Sequence, residues 1–335
     1  MKKIVVTGGA GFIGSNLVVE LHNTHPNIEI ATIDKLTYAS DLNYLNEVKD
    51  SPRHSFHKID ITDRQAVKNF IHEWKPDGVM HLAAESHVDN SILGPEPFIL
   101  SNVVGTFNLL EECRQLWNSE EFTGRETRFM HVSTDEVYGT LGDTGAFSET
   151  TPYAPNSPYS ASKAGSDMIV RSYYHTYGMD IVITNCSNNY GRHQHDEKLI
   201  PTVIRTALAG KPIPVYGKGE NVRDWLYVGD HCEALITVFD KGRAGEQYNI
   251  GGNNEWKNIE LVEHICEIMN REKGEGPDGD YKNLISFVTD RPGHDYRYAV
   301  DASKIKRELG WEPSQDFDQL LTKTVQWYLQ KYEGK

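Results

Sequence analysis

Cysteine is scarce: Cys113, Cys186, Cys232 and Cys266 are the only four in 335 residues, far apart and with no CxxC pair. That pattern excludes a disulfide scaffold and a structural zinc site, and points to a reducing compartment, the cytoplasm. No apolar run approaches the ~20 residues that a membrane-spanning helix needs. The opening MKKIVVTGGAGFIG runs from two lysines into glycines with no small-residue cleavage site, so it reads as a strand and not as a signal peptide. Positive charge is also short, with 34 Lys+Arg against 48 Asp+Glu and a formal net charge of −14. Nucleic acid and anionic membranes want basic patches, so neither is expected as a partner. A local cluster of arginines and backbone N–H groups can still hold an anionic small molecule. Repeats, low-complexity tracts and flexible linkers are missing as well. What is present is 38% hydrophobic residues, enough for a substantial core, on a chain longer than one typical domain.

Short apolar runs at 4–7, 28–33, 55–59, 78–83, 128–133 and 181–184 read as strands. Between them, 13–22, 64–74, 99–117 and 159–177 carry apolar residues at helical spacing. Such alternation specifies an α/β fold, a Rossmann-like doubly wound parallel sheet with helices on both faces. After about Asn185 the rhythm is lost. Gly and Pro break the chain into short pieces, with helices expected at 199–209, 230–239, 258–270 and 316–332 and a surface loop at 271–282. The expected organisation is a cofactor domain over 1–185 and a smaller mixed α/β lobe over 186–335, with strands of the second part free to return to the main sheet.

Gly8-Gly-Ala-Gly11-Phe-Ile-Gly14 follows a strand and opens a helix. Glycines there permit a tight turn and close approach of backbone to a pyrophosphate, and the helix N-terminus supplies N–H donors. Asp34, 20 residues after Gly14 at the end of the second strand, is placed to accept a ribose 2′-hydroxyl. An acid there repels a 2′-phosphate, so NAD is expected over NADP unless Lys35 compensates. Asp60-Ile61 either reaches the adenine or, through Asp60, caps the next helix.

Tyr159-Ser-Ala-Ser-Lys163 places a phenol and an ammonium one turn apart on a helix face. An ammonium beside a phenol favours phenolate, a base for a substrate hydroxyl while hydride leaves the same carbon. Thr134-Asp135-Glu136 lies at the C-terminal edge of the fifth strand, where open α/β sheets place ligands. Two adjacent carboxyl groups should push at least one pKa upward, which divides acid from base as elimination of water requires. Arg223, the Asp290-Arg291-Pro-Gly-His294 segment and Lys198 are candidates to grip a diphosphate. His193 and His195 read as solvated loop residues, not metal ligands, and the four cysteines as small core residues.

Together these motifs resemble the extended short-chain dehydrogenase/reductase superfamily and, within it, the dTDP-glucose 4,6-dehydratases. The likeness runs from Lys3 to roughly Trp311. Its specific parts are IDKLTYA (33–39), LAAESHVD (82–89), STDEVYG (133–139), SNNYG (187–191), EKLIP (197–201), RDWLY (223–227) and DRPGHD (290–295). Asp135 with Glu136 separates dehydratases from related epimerases and decarboxylases, which remain the alternative together with dehydratases of other nucleotide sugars. The resemblance implies NAD contacts from Phe12, Ile13, Asp34, Lys35, Leu36, Thr37, Asp60, Ile61, Leu82, Ala83, Ala84, Glu85, Ser86, Ser101 and Asn189. It implies nucleotide-sugar contacts from Ser86, Thr134, Asn188, Lys198, Leu199, Pro214, Val215, Tyr216, Arg223, Asn258, Asp290, Arg291 and His294. It also implies catalysis by Thr134, Asp135, Glu136, Tyr159 and Lys163, and a homodimer joined through the helices at 99–117 and 159–177. The chain departs from the family's pattern at Ser40, Ser101 and Asn185, and most in Gly191-Arg-His-Gln-His-Asp196.

Overall fold

The structure, a computed structural model, describes residues 1–276, 279–290 and 294–334. Six strands fall where the apolar runs predict them: β1 (Lys3–Thr7), β2 (Glu29–Asp34), β3 (His54–Lys58), β4 (Gly78–His81), β5 (Arg128–Thr134) and β6 (Ile181–Cys186). All pair in parallel. Alternate side chains enter different cores, Ile4 and Val6 on one face and Val5 on the other, Met130 and Val132 against Phe129. A strand covered on both faces favours apolar residues at most positions, which is why these runs are nearly continuous.

The later half also contributes strands, which its broken rhythm hid: β7 (Asn188–Tyr190), β8 (Ile213–Tyr216), β9 (Val222–Tyr227), β10 (Gln247–Ile250), β11 (Glu255–Lys257) and β12 (Ile285–Val288). β10 returns to the main sheet beside β6, giving the order β10-β6-β5-β4-β1-β2-β3. The others form a three-stranded sheet, β11-β9-β7, and a pair, β12-β8. Helices Leu199–Leu208, Asn258–Lys273 and Phe317–Glu333 close over these in a third core built on Ile204, Ile265 and Val325. A smaller cluster of Val137, Tyr138, Phe147, Tyr298 and Val300 fills the seam.

Two expectations need correction. The helix at 99–117 is π-wound over Ile99–Gly105 and α-helical only over Thr106–Trp117. The loop at 271–282 begins later than expected, because the preceding helix runs on to Lys273, and Tyr281–Leu284 forms a 3₁₀ turn; 277 and 278 lie outside the described residues. In the sheet order β1 and β4 are neighbours from which the chain leaves in opposite directions, so a crevice opens at their C-terminal ends.

Candidate active site

The crevice begins at the glycine turn. Gly8 has φ of 70°, a left-handed conformation, and accepts from Gly11 N at 3.1 Å. A Cβ on Gly14 would stand 2.2 Å from Gly8 O, so only glycine lets the helix Phe12–Thr24 start this close to the turn. Gly11, at its N-cap, provides no side-chain cap, which leaves the first N–H groups facing the cleft. Asp34, at the end of β2, accepts from Ala10 N (3.2 Å), Leu36 N (2.8 Å) and Ser40 Oγ (2.9 Å). Ser40, one of the departures, therefore steadies the carboxylate expected at the ribose. Asp60 lines the cleft, while the cap of helix Arg64–Trp74 is Asp63, so the capping alternative for Asp60 falls away.

One continuous cleft is lined by Gly8, Gly11, Phe12, Ile13, Gly14, Asp34, Lys35, Thr37, Asp60, Ile61, Leu82, Ala83, Ala84, Glu85, Ser86, Ser101 and Asn189. Thr134, Asp135, Glu136, Tyr159 and Lys163 line it too, with Asn188 and Lys198 from the second lobe. Leu36 alone of the expected cofactor set stays out, because its side chain packs against the core beneath. The pyrophosphate turn, the acid beyond β2 and the apolar wall of Ile61 and Leu82 fit a dinucleotide.

The reacting end is set by two local structures. Helix Pro158–Tyr177 starts in a reciprocal cap, with Ser160 N on Ser157 Oγ and Ser157 N on Ser160 Oγ, both at 3.0 Å, and proline at its first position. That start fixes Tyr159. At the end of β5, Thr134 Oγ1 caps the 3₁₀ turn Asp135–Tyr138 by accepting from Glu136 N at 3.3 Å, while Asn185 Nδ2 donates to Thr134 O at 3.0 Å. Asp135 is 2% exposed, and its Oδ2 has no partner among the described residues. Burial, then the charges of Glu136 and Asp224, hold Asp135 well above the usual carboxylate range. The shift favours its acid form. Arg223 opposes this shift from the second lobe.

Tyr159 departs from expectation. Burial and the Glu136 charge raise it well above the ordinary phenol value, against a hydrogen bond with Thr134 that favours the phenolate. The Lys163 ammonium donates instead to Val132 O at 2.9 Å, and burial lowers its pKa. The i, i+4 spacing put both groups on one face but did not predict where the ammonium is spent.

The remaining substrate candidates divide. Tyr216, Asp290 and His294 gather at the end of β8, with His294 Nδ1 2.6 Å from Asp290 Oδ1 and its ring edge-on to Tyr216. Asn258 brings a buried Oδ1 with no partner among the described residues. Pro214 is exposed on β8, and Leu199 packs on the third core at the start of its helix. Val215 points into that core at 2% exposure, so its side chain is not on the site. Arg223 is buried, donating to Val222 O (2.7 Å) and Asp295 O (2.9 Å) and lying over the Tyr298 ring. Arg291 lies outside the described residues.

The departing loop is solvated only in part, with His195 partly exposed and His193 buried. His193 is stacked on Tyr44 at 4.1 Å and bonded to Ser15 Oγ at 3.0 Å, and burial lowers it to about 3. His195 reaches the cleft, where Glu197 Oε2 lies 3.5 Å from both His195 Nδ1 and His87 Nε2. Local pattern could not find this cross-cleft group, because it exists only when two lobes meet. Cys186 is buried as expected, yet lines the cleft beside Tyr159.

The chain matches the family model described as GDP-mannose 4,6 dehydratase over residues 5–324. A dTDP-glucose 4,6-dehydratase of Xanthomonas campestris is 56% identical over 326 residues, covering 97% of this chain and 92% of that one. This chain belongs to the dTDP-glucose 4,6-dehydratase family. The Escherichia coli enzyme of that name is 52% identical, with 99% and 94% covered. Among solved members, the Bacillus anthracis dehydratase in complex with NAD superposes with a TM-score of 0.87 at 45% identity, covering 99% of this chain and 98% of that one. A Thermotoga maritima UDP-glucose 4-epimerase shares the fold with a TM-score of 0.86 but only 27% identity, covering 98% and 99%. Fold alone does not separate dehydratase from epimerase.

Proposed function

We propose that the protein is an NAD-dependent hydro-lyase that converts dTDP-glucose to dTDP-4-keto-6-deoxyglucose. The observation that carries this is the adjacent pair Asp135, buried and shifted toward its acid form, and Glu136, both within the cleft that Tyr159 and Lys163 line. Tyr159 accepts the proton of the glucose 4-hydroxyl, with Thr134 hydrogen-bonded to the same oxygen. Lys163 balances the phenolate charge. Bound NAD supplies the hydride acceptor at C4 and, once reduced, the donor at C6. The 4-ketone acidifies the C5 proton, Glu136 removes it, and Asp135 protonates the departing 6-hydroxyl. Glu136 then returns its proton to C5. Tyr159 ends one proton richer and Asp135 one poorer, so a proton passes between them or through solvent before the next turnover.

Residues 1–185 hold the cofactor and 186–335 mainly the nucleotide sugar. The test is incubation with dTDP-, UDP- and CDP-glucose and catalytic NAD. A product lighter by one water and absorbing in alkali, fastest with dTDP-glucose, is expected. An isomer of unchanged mass would make the protein an epimerase. The working form is a cytoplasmic homodimer: all four cysteines are free, and Ile99, Leu100, Val104 and Met168 expose apolar surface on the two long helices. Leu100→Asp should give the monomer mass in sedimentation, and wild type at that mass would refute the dimer.

A further inference from the structure

Helix Pro158–Tyr177 carries a third ionisable group in line with Tyr159 and Lys163, namely Asp167, another four residues on. Neither Asp167 nor His131 on β5 is exposed at all, and the chemistry above uses neither. Asp167 Oδ2 accepts from Ser133 Oγ at 2.7 Å and Tyr153 OH at 2.9 Å, and its Oδ1 lies 3.1 Å from His131 Nε2. The same Nε2 is 3.2 Å from Ser166 Oγ, whose hydroxyl donates to Lys163 O at 2.8 Å. With that hydroxyl proton committed, Nε2 carries the imidazole hydrogen. Nδ1 is then bare, and no partner reaches it among the described residues.

His131 is neutral, since burial and the Lys163 charge bring it down to about 4. The cluster therefore holds one cation and one anion. Lys163 Nζ sits 3.5 Å from His131 Nε2, the same ring nitrogen that Asp167 Oδ1 approaches to 3.1 Å. An ammonium at 3% exposure is costly without a counter-charge. The other titratable groups around the pair are His81 on β4, Cys186 on β6, and Tyr138, Tyr153 and Tyr159, and each is shifted toward its neutral form. Asp135 and Glu136 act on Tyr159 from the 3₁₀ turn.

We propose that Asp167 is a positioning residue: meeting Lys163 at the Nε2 edge of the His131 ring, it is the buried counter-ion that keeps Lys163 cationic behind Tyr159. The inference rests on the reading of Tyr159 and Lys163 as the proton-transfer pair. Asp167→Asn keeps the shape and removes the charge, so Lys163 gives up its proton at lower pH. The alkaline limb of the kcat–pH profile should move down by about one unit, up to a tenfold loss relative to wild type on the alkaline side, with KM little changed. Asp167→Glu should restore the limb. An unmoved limb in Asp167→Asn would overturn the proposal.

A thermal cycle reads the same pairing without turnover. Asp167→Asn should lower Tm much more with Lys163 present than in a Lys163→Met background, where no cation is left unbalanced. Equal losses in the two backgrounds would also overturn it. Absence of dehydratase turnover in the wild type would sink the proposed function instead, and the thermal cycle would still decide the charge pairing.

Discussion

Adjacent in sequence and both acidic, Asp135 and Glu136 are made unlike by their surroundings. Asp135 is buried against the charges of Glu136 and Asp224, while Glu136 keeps partial access to the cleft. The first is shifted toward its acid form, and the second faces the cleft as the candidate base. Replacing Glu136 by Gln removes the base and leaves the first oxidation intact. Stopped-flow absorbance should show reduced NAD accumulating in one rapid phase, with steady-state dehydration down by about 10²–10⁴. Full turnover by that variant would remove Glu136 from its role. The motif was legible in the sequence because the chemistry sits in consecutive residues. The counter-charge on Lys163 was not: Asp167 stands one turn further along the same helix, but His131 and Val132 join the pair only through packing of that helix on β5.

At the level of elements, the glycine turn is the most constrained joint. A methyl group on Gly14 meets the Gly8 carbonyl far inside van der Waals contact, so Gly14→Ala must push the helix start away from β1. NAD affinity by titration calorimetry should fall at least about tenfold, while the far-UV spectrum changes little. Unaltered affinity would mean that the turn does not hold the pyrophosphate. Strands β1 to β6 could be read directly, since burial on two faces makes most of these runs apolar, although β3 lies half-buried at the sheet edge with His54, Ser55 and His57. β7 and β10 could not. Asn188-Asn-Tyr and Gln247-Tyr-Asn-Ile carry polar residues whose partners come from elsewhere, as when Tyr138 OH donates to Asn249 Oδ1 at 2.8 Å. The π-wound stretch Ile99–Gly105 was equally hidden, because seven residues do not distinguish a period of 3.6 from a slightly longer one.

Across the whole molecule, a few buried polar residues tie the lobes together. The loop through His193 is gripped on one side by Ser15 and Tyr44 and on the other by the last helix, where Tyr328 OH donates to Gln194 O at 2.6 Å and Lys331 Nζ meets Asp196 at 2.8 Å. Next to it His231, fully buried, donates from Nδ1 to Asn189 Oδ1 at 2.8 Å. Burial brings His231 from its ordinary 6.5 to about 3. The folded state refuses a proton that the unfolded chain takes up below pH 6.5, so this residue withdraws stability as pH falls from 6.5 toward 3. At pH 5 the withdrawal is about 2 kcal/mol. His231→Gln should therefore lose less Tm between pH 7 and pH 5 than wild type does, and an identical drop would show that this imidazole is not the group responsible.

The return of β10 to the sheet has a consequence for biosynthesis. A nascent chain released only as far as residue 185 presents β6 with one flank open, and the strip that seals it is still more than sixty residues from being made. An open parallel edge of that kind invites pairing with any neighbouring polypeptide. The cofactor half therefore completes its sheet only once the chain has been delivered through Ile250.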